Sequence, residues 1–390
     1  KWEIGLEYSA LRNKIHMPGG LTDSLFNANP RQSPTERNWL ESPWNILALK
    51  IKNQINDKTS FSLVSSFLFS QRNLIWKNED NWPNQPDTIT PNLQYVPREL
   101  EREYFKSTTH ELRFLHNYNL GKYQQTFAGG VRFAYSHLVR QAGAQGTTGT
   151  NFDLTKLSNW EVNLTFKTIN VSLFAEHIFR IKNFTITPGL RYEFLSTSAN
   201  GYSGNDAEDS DEPFVLVNHQ KRNRNIILGG LGMQYDINNK HSMYANFNRS
   251  FRPVTYSDLT PFGTIAKINP KLKDADGYNV DIGFRGSHQN IINYDVSFFF
   301  LYYNNKIGYV NKLQDTISYL YRTNTGSSRH LGVEAYVELN ILDGWIKTDK
   351  YGKLSIYNSF GYVNAKYAKG EYKNKFVEYA PQFINRIGVN

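Results

Sequence analysis

Side chains that could carry out covalent or metal chemistry are few in this sequence, and they do not form reactive patterns. Cysteine is absent, so there is no disulfide, thiolate metal site or cysteine nucleophile. The nine histidines are scattered and do not form an H-E-x-x-H zinc motif. Residues 201–205 (GYSGN) lack the G-x-S-x-G spacing of a hydrolase nucleophile elbow. We therefore predict that the protein is not an enzyme and has no catalytic residue, cofactor or metal site.

Two charged features invite a functional interpretation. The acidic run between Asp206 and Glu212 could bind a divalent cation, but it lacks the glycine and the twelve-residue spacing of a calcium loop. We interpret it as a solvated loop tip. Arg191 and Glu193 stand two residues apart on one face of a predicted strand. We expect them to form a structural ladder with neighbouring strands.

The composition narrows the class of protein. The chain has 390 residues, of which 39% are hydrophobic and 15% aromatic. No run of about 18 apolar residues occurs, which excludes a helical membrane protein. The high aromatic content argues against intrinsic disorder. Few apolar residues and many aromatic ones suit a protein whose apolar side chains form a thin outer shell.

Alternation of apolar and polar residues with a period of two dominates the chain and predicts strands. In residues 186–194, Ile, Pro, Leu, Tyr and Phe share one face, while Thr, Gly, Arg and Glu share the other. About fourteen segments show this pattern. They are residues 1–8, 43–52, 59–72, 105–119, 127–135, 169–181, 186–194, 224–236, 241–250, 276–286, 291–304, 333–339, 353–364 and 383–390.

The connections between these segments alternate between short and long. The short ones are 53–58, 121–122, 181–183, 238–240 and 287–290; the long ones are 11–42, 73–104, 137–168, 198–223, 251–275 and 305–329. Strict alternation indicates antiparallel hairpins with tight turns on one side and large loops on the other. This is the layout of an up-and-down transmembrane β-barrel with short periplasmic turns and long extracellular loops. A β-propeller would need a repeat of about 40–50 residues, which we do not find, and a soluble sandwich would not separate the loops so cleanly.

The two faces of the predicted strands fit a barrel. Polar residues are expected on an inner face that lines a wet lumen. Aromatic residues crowd the strand ends, as in the interfacial girdles of membrane proteins, although ordinary cross-strand packing would also place them there. The predicted inner residues are Arg132, Arg191, Glu193, Gln234, Asp236, Glu334 and Glu338, and the predicted girdle residues are Tyr8, Phe69, Tyr135, Tyr192, Tyr235 and Tyr302.

Three segments resemble the β-barrel of TonB-dependent outer-membrane receptors. Residues 174–193 resemble the family's F-x-E … T-P-G-x-R-Y-E hairpin. Residues 243–253 are similar to its strand ending in F-R-P, and residues 269–286 are similar to the N-P-x-L-K … G-x-R-G strand that follows. Their order and spacing match the family over most of residues 160–390. The loop at 257–264 (SDLTPFGT) leans toward the ferric-dicitrate-receptor-like branch.

The resemblance implies a larger protein than this chain. Family members have barrels of about 22 strands, with an N-terminal plug inside the barrel and a TonB box before the plug. We therefore expect residues 1–390 to be an incomplete barrel, with the plug domain and the closing strands absent from this chain.

The resemblance also implies a function. Such receptors sit in the bacterial outer membrane and take up a scarce ferric chelate, such as a siderophore or ferric citrate, with energy delivered by TonB through the plug. The alternatives are a passive porin-like channel and an adhesin or assembly barrel. The resemblance implies TonB, an anionic iron chelate and outer-membrane lipid with lipopolysaccharide as partners, and the net charge of +9 fits the anionic ones. We do not expect nucleic acid, because no basic stretch is interleaved with aromatic residues.

An anionic chelate would suit arginine, whose planar guanidinium pairs with carboxylates through two hydrogen bonds and stays charged. If the branch resemblance holds, the site lies where the long loops meet the strand ends. The alternative for each arginine is a bridge between loops or exposure to solvent. The candidate ligand-binding residues are Arg140, Gln141, Arg252, Arg322, Thr323 and Arg329.

Overall fold

The structure is a computed structural model, and it describes residues 1–17, 19–77, 89–203, 215–255, 258–259, 266–269, 271–289, 291–314, 317–342, 352 and 354–390. Within these ranges it is almost entirely β, as the alternation predicted. Fourteen long strands are accompanied by three strands of three residues each and by one short helix. The helix, α1 (Asp23–Ala28), has six residues, and Thr22 caps its N-terminus. No helix of the described residues is long and apolar enough to cross a membrane.

The strands follow the chain in the order that the periodicity predicts, and most extend beyond the predicted bounds. The three-residue strands are β2 (Lys14–His16), β3 (Trp39–Glu41) and β12 (Ala266–Ile268). The long strands are β1 (Trp2–Leu11), β4 (Trp44–Asn56), β5 (Thr59–Trp76), β6 (Glu99–Leu120), β7 (Tyr123–Gln145), β8 (Val162–Ile181), β9 (Phe184–Ser203), β10 (Val215–Asn238), β11 (His241–Arg252), β13 (Ala275–His288), β14 (Ile292–Gln314), β15 (Ile317–Asn340), β16 (Ser355–Lys369) and β17 (Phe383–Val389).

Antiparallel pairing joins the long strands in up-and-down order. β1 pairs with β4 and β4 with β5, β5 to β9 are neighbours in sequence order, and β10 pairs with β11. The order continues through β11–β13, β13–β14, β14–β15, β15–β16 and β16–β17. One contact departs from the antiparallel rule, because β12 lies parallel to β15. That strand belongs to the connection between β11 and β13, so it packs beside an existing hairpin instead of extending the hairpin series.

Several predicted loops are shorter than expected because the strands continue. The connection predicted at 305–329 is wrong: β14 and β15 remain paired from the Tyr303–Ser328 pair to the Gln314–Ile317 pair. The ladder survives an irregularity between Tyr303 and Lys306. Gly326 lies opposite this irregularity with φ +128°, and a Cβ there would clash with the carbonyl oxygen of Lys369. Extra chain is thus absorbed as a bulge that re-aims the upper part of the hairpin.

The chain forms two compact units. The first contains residues 1–114, 130–173 and 193–226, and the second contains residues 115–129, 174–192 and 227–390. The first unit buries Ile75, Leu100 and Phe166 almost completely. In the second unit, Ala365, Tyr367 and Val377 form a small buried cluster. Large apolar side chains are otherwise exposed along the strands, which is the distribution expected when one face of a sheet meets lipid.

Candidate functional site

Two of the predicted ligand-binding arginines meet on one buried carboxylate in the second unit. Arg252, the last residue of β11, donates from Nη2 to Asp258 Oδ1 at 3.0 Å. Arg322, in the extension of β15, donates from Nη2 to the same oxygen. Asp258 is fully buried. The structure therefore brings together two residues that lie 70 positions apart in the sequence, and it does so around an acid that the sequence analysis missed.

Hydrogen bonds with Thr255 position Asp258 beyond the end of β11. Thr255 donates from its backbone nitrogen and from Oγ1 to Asp258 Oδ2, both at 2.8 Å. The backbone nitrogen of Asp258 in turn donates to the carbonyl of Thr255 at 3.1 Å. A second anchor comes from Asp274, whose Oδ1 accepts from the backbone nitrogen of Val254 at 2.7 Å. Both oxygens of Asp258 are thus engaged, one by Thr255 and one by the two arginines.

Hydrogen bonding keeps Asp258 ionised. Burial by itself would raise the pKa of Asp258, but the hydrogen bonds from Arg252 and from the backbone and side chain of Thr255 outweigh it. The pKa of Asp258 therefore lies below its ordinary value. With one negative and two positive groups, the Arg252–Asp258–Arg322 cluster carries a net charge of +1.

The two guanidinium groups keep hydrogen-bonding capacity beyond Asp258. Arg322 donates from Nη1 to the Tyr309 hydroxyl at 2.7 Å and lies over the Tyr309 ring, 5.0 Å from its centroid. Arg322 Nε and Arg252 Nη1 are buried and have no hydrogen-bond acceptor in the described part of the chain. The Arg252 side chain is 37% exposed and that of Arg322 17%. The feature of the cluster that an incoming carboxylate or catecholate oxygen would meet is therefore its positive surplus.

Thr323, another predicted residue, lies beside the cluster but is already engaged. Its Oγ1 accepts from Asn269 Nδ2 at 2.9 Å. The next residue, Asn324, accepts from the backbone nitrogen of Lys273 and donates to the carbonyls of Lys273 and Asn305. These bonds tie the connection before β13 to the β14–β15 hairpin, so Thr323 serves as a loop anchor in this state.

The first unit holds Arg140 in a different environment. Arg140 on β7 lies 3.7 Å from Glu103 Oε1, and Arg72 Nη1 lies 3.5 Å from Glu103 Oε2 and 3.6 Å from Glu101 Oε2. Two arginines therefore share two carboxylates, and the cluster is neutral. Burial raises the pKa of Glu101 above its ordinary value, and Glu103 adds to this effect, although Arg140 and Arg72 oppose it. Gln141, the neighbouring predicted residue, lies 3.5 Å from Asn163 Oδ1 through its Nε2.

Arg329 is separated from the other candidates by strand alternation. From Ser328 onward β15 pairs with β14 and β16 without a further irregularity, so Arg329 shares a face with Leu331 and Val333. Leu331 is 55% exposed, which identifies this face as the apolar one. The acidic run between Asp206 and Glu212 lies outside the described residues, as does most of the 257–264 loop, of which only Asp258 and Leu259 are described.

The opposite face of the second unit carries a polar network. The hydroxyl of Tyr244 donates to Asp295 at 2.7 Å, and Asn246 donates to Asp281 at 2.7 Å. Predicted inner residues take part: Gln234 donates to Asp236 at 2.7 Å, and Glu338 accepts from Ser355 at 2.8 Å. This supports the prediction of a wet inner wall.

Arg191 and Glu193, the charged pair on β9, both contact the neighbouring strand β8. Glu193 accepts from Asn170 at 2.9 Å, and Arg191 lies over the Phe174 ring. Both act as structural cross-strand partners.

A third cluster was not expected from the sequence. Lys306 Nζ donates to Glu378 Oε1 at 2.7 Å and to the Tyr367 hydroxyl at 3.1 Å, and that hydroxyl donates to Glu378 Oε2 at 2.8 Å. Glu378 belongs to the connection between β16 and β17, so the triad holds this connection against β14 and β16. Its members lie 11 to 72 residues apart, which left no local pattern to detect.

Comparison with known proteins agrees with this architecture. The family model for the TonB dependent receptor-like β-barrel matches residues 4–390. Similar solved structures include the ferric citrate transporter FecA in the unliganded form (TM-score 0.76, 19% identity). The match covers 100% of this chain and 52% of the transporter chain. A second is the siderophore receptor PiuA from Acinetobacter baumannii (TM-score 0.70, 14% identity), where the match covers 100% of this chain and 59% of that chain. A third is the ferric yersiniabactin uptake receptor FyuA from Yersinia pestis (TM-score 0.68, 13% identity), where the match covers 100% of this chain and 53% of that chain.

This chain spans between about half and three-fifths of the length of those structures. At these identities the likeness concerns the fold. The family match extends over nearly the whole chain, and it agrees with the hairpin order, the polar inner wall and the exposed apolar face. The chain belongs to the family of TonB-dependent receptor β-barrels.

Proposed function

We propose that the protein to which this chain belongs is an outer-membrane receptor that takes up an anionic ferric chelate in a TonB-coupled step. Membership in the receptor family supports this class of activity. The observation that favours an anionic cargo is the positive surplus of the Arg252–Asp258–Arg322 cluster, where two guanidinium groups share one carboxylate. A cargo that brings its own carboxylates would balance this surplus.

Ferric citrate is the cargo we choose to test first. The similar structures include a ferric citrate transporter, and the 257–264 loop resembles that branch. Citrate carries several carboxylates, so it matches a site of arginines and a tyrosine hydroxyl better than a neutral solute does. In this proposal Arg252 and Arg322 contact the chelate, and Tyr309 orients Arg322.

The partners follow from the same proposal. TonB would act through a plug region that is not part of this chain, and the apolar outer face would meet outer-membrane lipid and lipopolysaccharide. The incomplete barrel would be closed by further strands of the full-length protein. A barrel that carries plug and TonB box would be an active transporter, whereas one without them would be a passive channel.

Two measurements on the full-length receptor test the proposal. The first is calorimetric titration with ferric citrate, with iron-free citrate as the control; we expect saturable binding of the ferric complex only. The second is iron accumulation by cells that express the receptor, with and without TonB; we expect accumulation only with TonB. Uptake that does not need TonB and does not saturate would indicate a porin-like channel instead.

A further inference from the structure

A lateral row of basic and tyrosine side chains crosses the second unit at one level. The strand registers pair Arg249 with Tyr278, Tyr278 with Tyr302, Tyr302 with Arg329 and Arg329 with Lys366. Directly paired residues of antiparallel strands point to the same side of the sheet. The five residues therefore form one continuous row over β11, β13, β14, β15 and β16, which we call the basic rim.

The basic rim borders the apolar face. The next outward row toward the tight turns contains the paired apolar residues Phe247, Val280, Phe300 and Leu331 on β11 to β15 and ends with Asn364 on β16. The row beyond it contains Ile282 and Phe298, which are 56% and 59% exposed. Exposed apolar side chains in successive rows are the surface that a transmembrane sheet presents to lipid tails.

The height of this apolar face matches a membrane. Ile292, the first residue of β14, lies ten residues from Tyr302 along an unbroken part of the ladder. At about 3.3 Å per residue and a tilt of about 40°, this length corresponds to about 25 Å, the height of the apolar band of outer-membrane barrels. Because Ile292 follows the tight turn, the basic rim lies at the far edge of the band, at the level of the outer-leaflet headgroups.

The outward face is predominantly positive at this edge. The basic rim contributes three cations, and the described outward residues of the same five strands include one carboxylate, Asp276, which lies one pair above the rim and accepts from Asn304 at 3.2 Å. The other carboxylates of these strands lie on the inward face, and two of them, Asp295 and Glu338, lie at the far end of the strands from the rim. The rim cations therefore face outward with one carboxylate near them.

The rim side chains are poised for headgroup contact. Arg329 is exposed, and Arg249 is exposed while donating one hydrogen bond, from Nη1 to the carbonyl of Ile227 at 3.2 Å. Lys366 lies over the Phe376 ring, 4.9 Å from its centroid. Tyr278 and Tyr302 stack with their ring centroids 5.6 Å apart. Tyrosine rings at headgroup depth with flanking cations are the arrangement that anchors proteins at a membrane interface.

We infer that the basic rim binds the phosphate groups of the phosphorylated glycolipid of the outer leaflet, with Arg249, Arg329 and Lys366 as the phosphate ligands. This inference rests on the outer-membrane location in the proposed function and assigns residues to it. The apolar rows below the rim receive the acyl chains, and the two tyrosines fill the level between chains and phosphates. Arginine favours phosphate because its fork donates two parallel hydrogen bonds.

The test uses the full-length receptor in detergent and native mass spectrometry with bis-phosphorylated lipid A. The rim variant combines Arg249→Gln, Arg329→Gln and Lys366→Gln. A matched control removes the same charge at three exposed lysines away from the rim, through Lys240→Gln, Lys271→Gln and Lys273→Gln. A conservative variant, Arg249→Lys with Arg329→Lys, keeps the charge. Monophosphoryl lipid A and inorganic phosphate are the comparison ligands.

We expect the rim variant to bind bis-phosphorylated lipid A about 100-fold more weakly than wild type, since each cation near an anionic lipid surface contributes about a factor of five. The control variant should bind like wild type, and the conservative variant should retain most of the affinity. Loss of one phosphate from the lipid should weaken binding to wild type more than to the rim variant.

Equal affinity of the rim and control variants for lipid A would overturn the inference. Competition by inorganic phosphate as strong as that by lipid A would also overturn it, because the rim would then be a site for free anions. Ferric citrate titration of the same preparations separates this result from the proposed function. The rim variant should still bind ferric citrate. If wild type does not bind ferric citrate, the proposed cargo is wrong, but the lipid A measurement still tests the basic rim.

Discussion

Two arginine–carboxylate clusters of this chain contain predicted ligand-binding residues, and they differ in charge balance. Around Asp258, Arg252 and Arg322 share one carboxylate, and the cluster has a surplus of +1. Around Glu103, Arg140 and Arg72 are balanced by Glu103 and Glu101. Each cluster contains buried arginine nitrogens without an acceptor among the described residues, Arg140 Nε in one and Arg252 Nη1 and Arg322 Nε in the other. The difference between the clusters is therefore one of charge. The neutral cluster is balanced within the protein, whereas the surplus of the other cluster is proposed to attract an external anion.

The protonation behaviour of the two clusters differs in the same sense. Hydrogen bonds from arginine and threonine lower the pKa of Asp258 despite its burial. Burial raises the pKa of Glu101 despite the two arginines nearby. The surroundings of Asp258 therefore stabilise its ionised form, whereas the surroundings of Glu101 destabilise its ionised form. Substitutions in each cluster test this difference.

The largest effect should come from removing the single carboxylate. Asp258→Ala leaves the guanidinium groups of Arg252 and Arg322 without their shared carboxylate and removes the hydrogen bonds from Thr255, so we expect a loss of about 3 kcal/mol in the stability of this region. Limited proteolysis of the full-length receptor under mild denaturant measures it through cleavage near residues 253–259. Unchanged protease resistance would show that the cluster does not stabilise this region. Arg329→Gln, on the outward face, is the control.

A smaller effect is expected from the same kind of change in the neutral cluster. Glu103→Gln removes one of two carboxylates, but Glu101 remains 3.6 Å from Arg72. We expect a loss of about 1 kcal/mol, since the remaining acid compensates part of the lost attraction. The measurement is again protease resistance, now of the extensions of β6 and β7. A loss as large as that of Asp258→Ala would remove the distinction between the clusters.

The contributions of Asp258 and Glu101 to folding stability should depend on pH with opposite signs, and these are the smallest effects that we expect. Asp258 has a lowered folded pKa, so its stabilising contribution is present above its unfolded pKa of about 3.9 and is lost as pH falls below that value. Glu101 has a raised folded pKa, so its protonation on acidification favours the folded state. We expect Glu101→Gln to be slightly more stable than wild type at pH 7. This difference should shrink as the pH is lowered toward and through the folded pKa of Glu101.

Thermal unfolding of wild type and Glu101→Gln between pH 7 and pH 4 measures this difference. Glu103→Gln serves as the companion variant, because it removes a neighbouring carboxylate whose charge contributes to the raised pKa of Glu101. A stability difference between wild type and Glu101→Gln that does not change with pH would contradict a raised pKa at this position.

The sequence predicted the strands well because period-two alternation reports directly on which face is buried. It located Arg252 and Arg322 at strand ends, but not Asp258, because the contact from Asp258 to Arg322 spans 64 residues and depends on strand pairing. It grouped Arg329 with the ligand site although a signal against this was present. Arg329 has the parity of Leu331 and Val333, which places it on the apolar face.

Loop lengths were predicted less well. Residues 305–329 contain tyrosines, asparagines and glycine and do not alternate cleanly. Assigning faces in steps of two fails there because the irregularity between Tyr303 and Lys306 shifts the faces. A bulge moves every later side chain to the other side, so a regular hairpin looks irregular in the sequence. Cross-strand registers recover the hairpin, and they also reveal the basic rim, which no single segment shows.

The most direct test of the proposed ligand site is ferric citrate titration of the full-length receptor as Arg322→Gln and as Arg140→Gln. We expect Arg322→Gln to weaken binding at least about tenfold, since losing one partner of a desolvated charge contact costs about 2–5 kcal/mol. Arg140→Gln, in the balanced cluster, should change the affinity less than about twofold. Equal losses in the two variants, or a larger loss for Arg140→Gln, would contradict the claim that surplus charge distinguishes the ligand site from a structural tie.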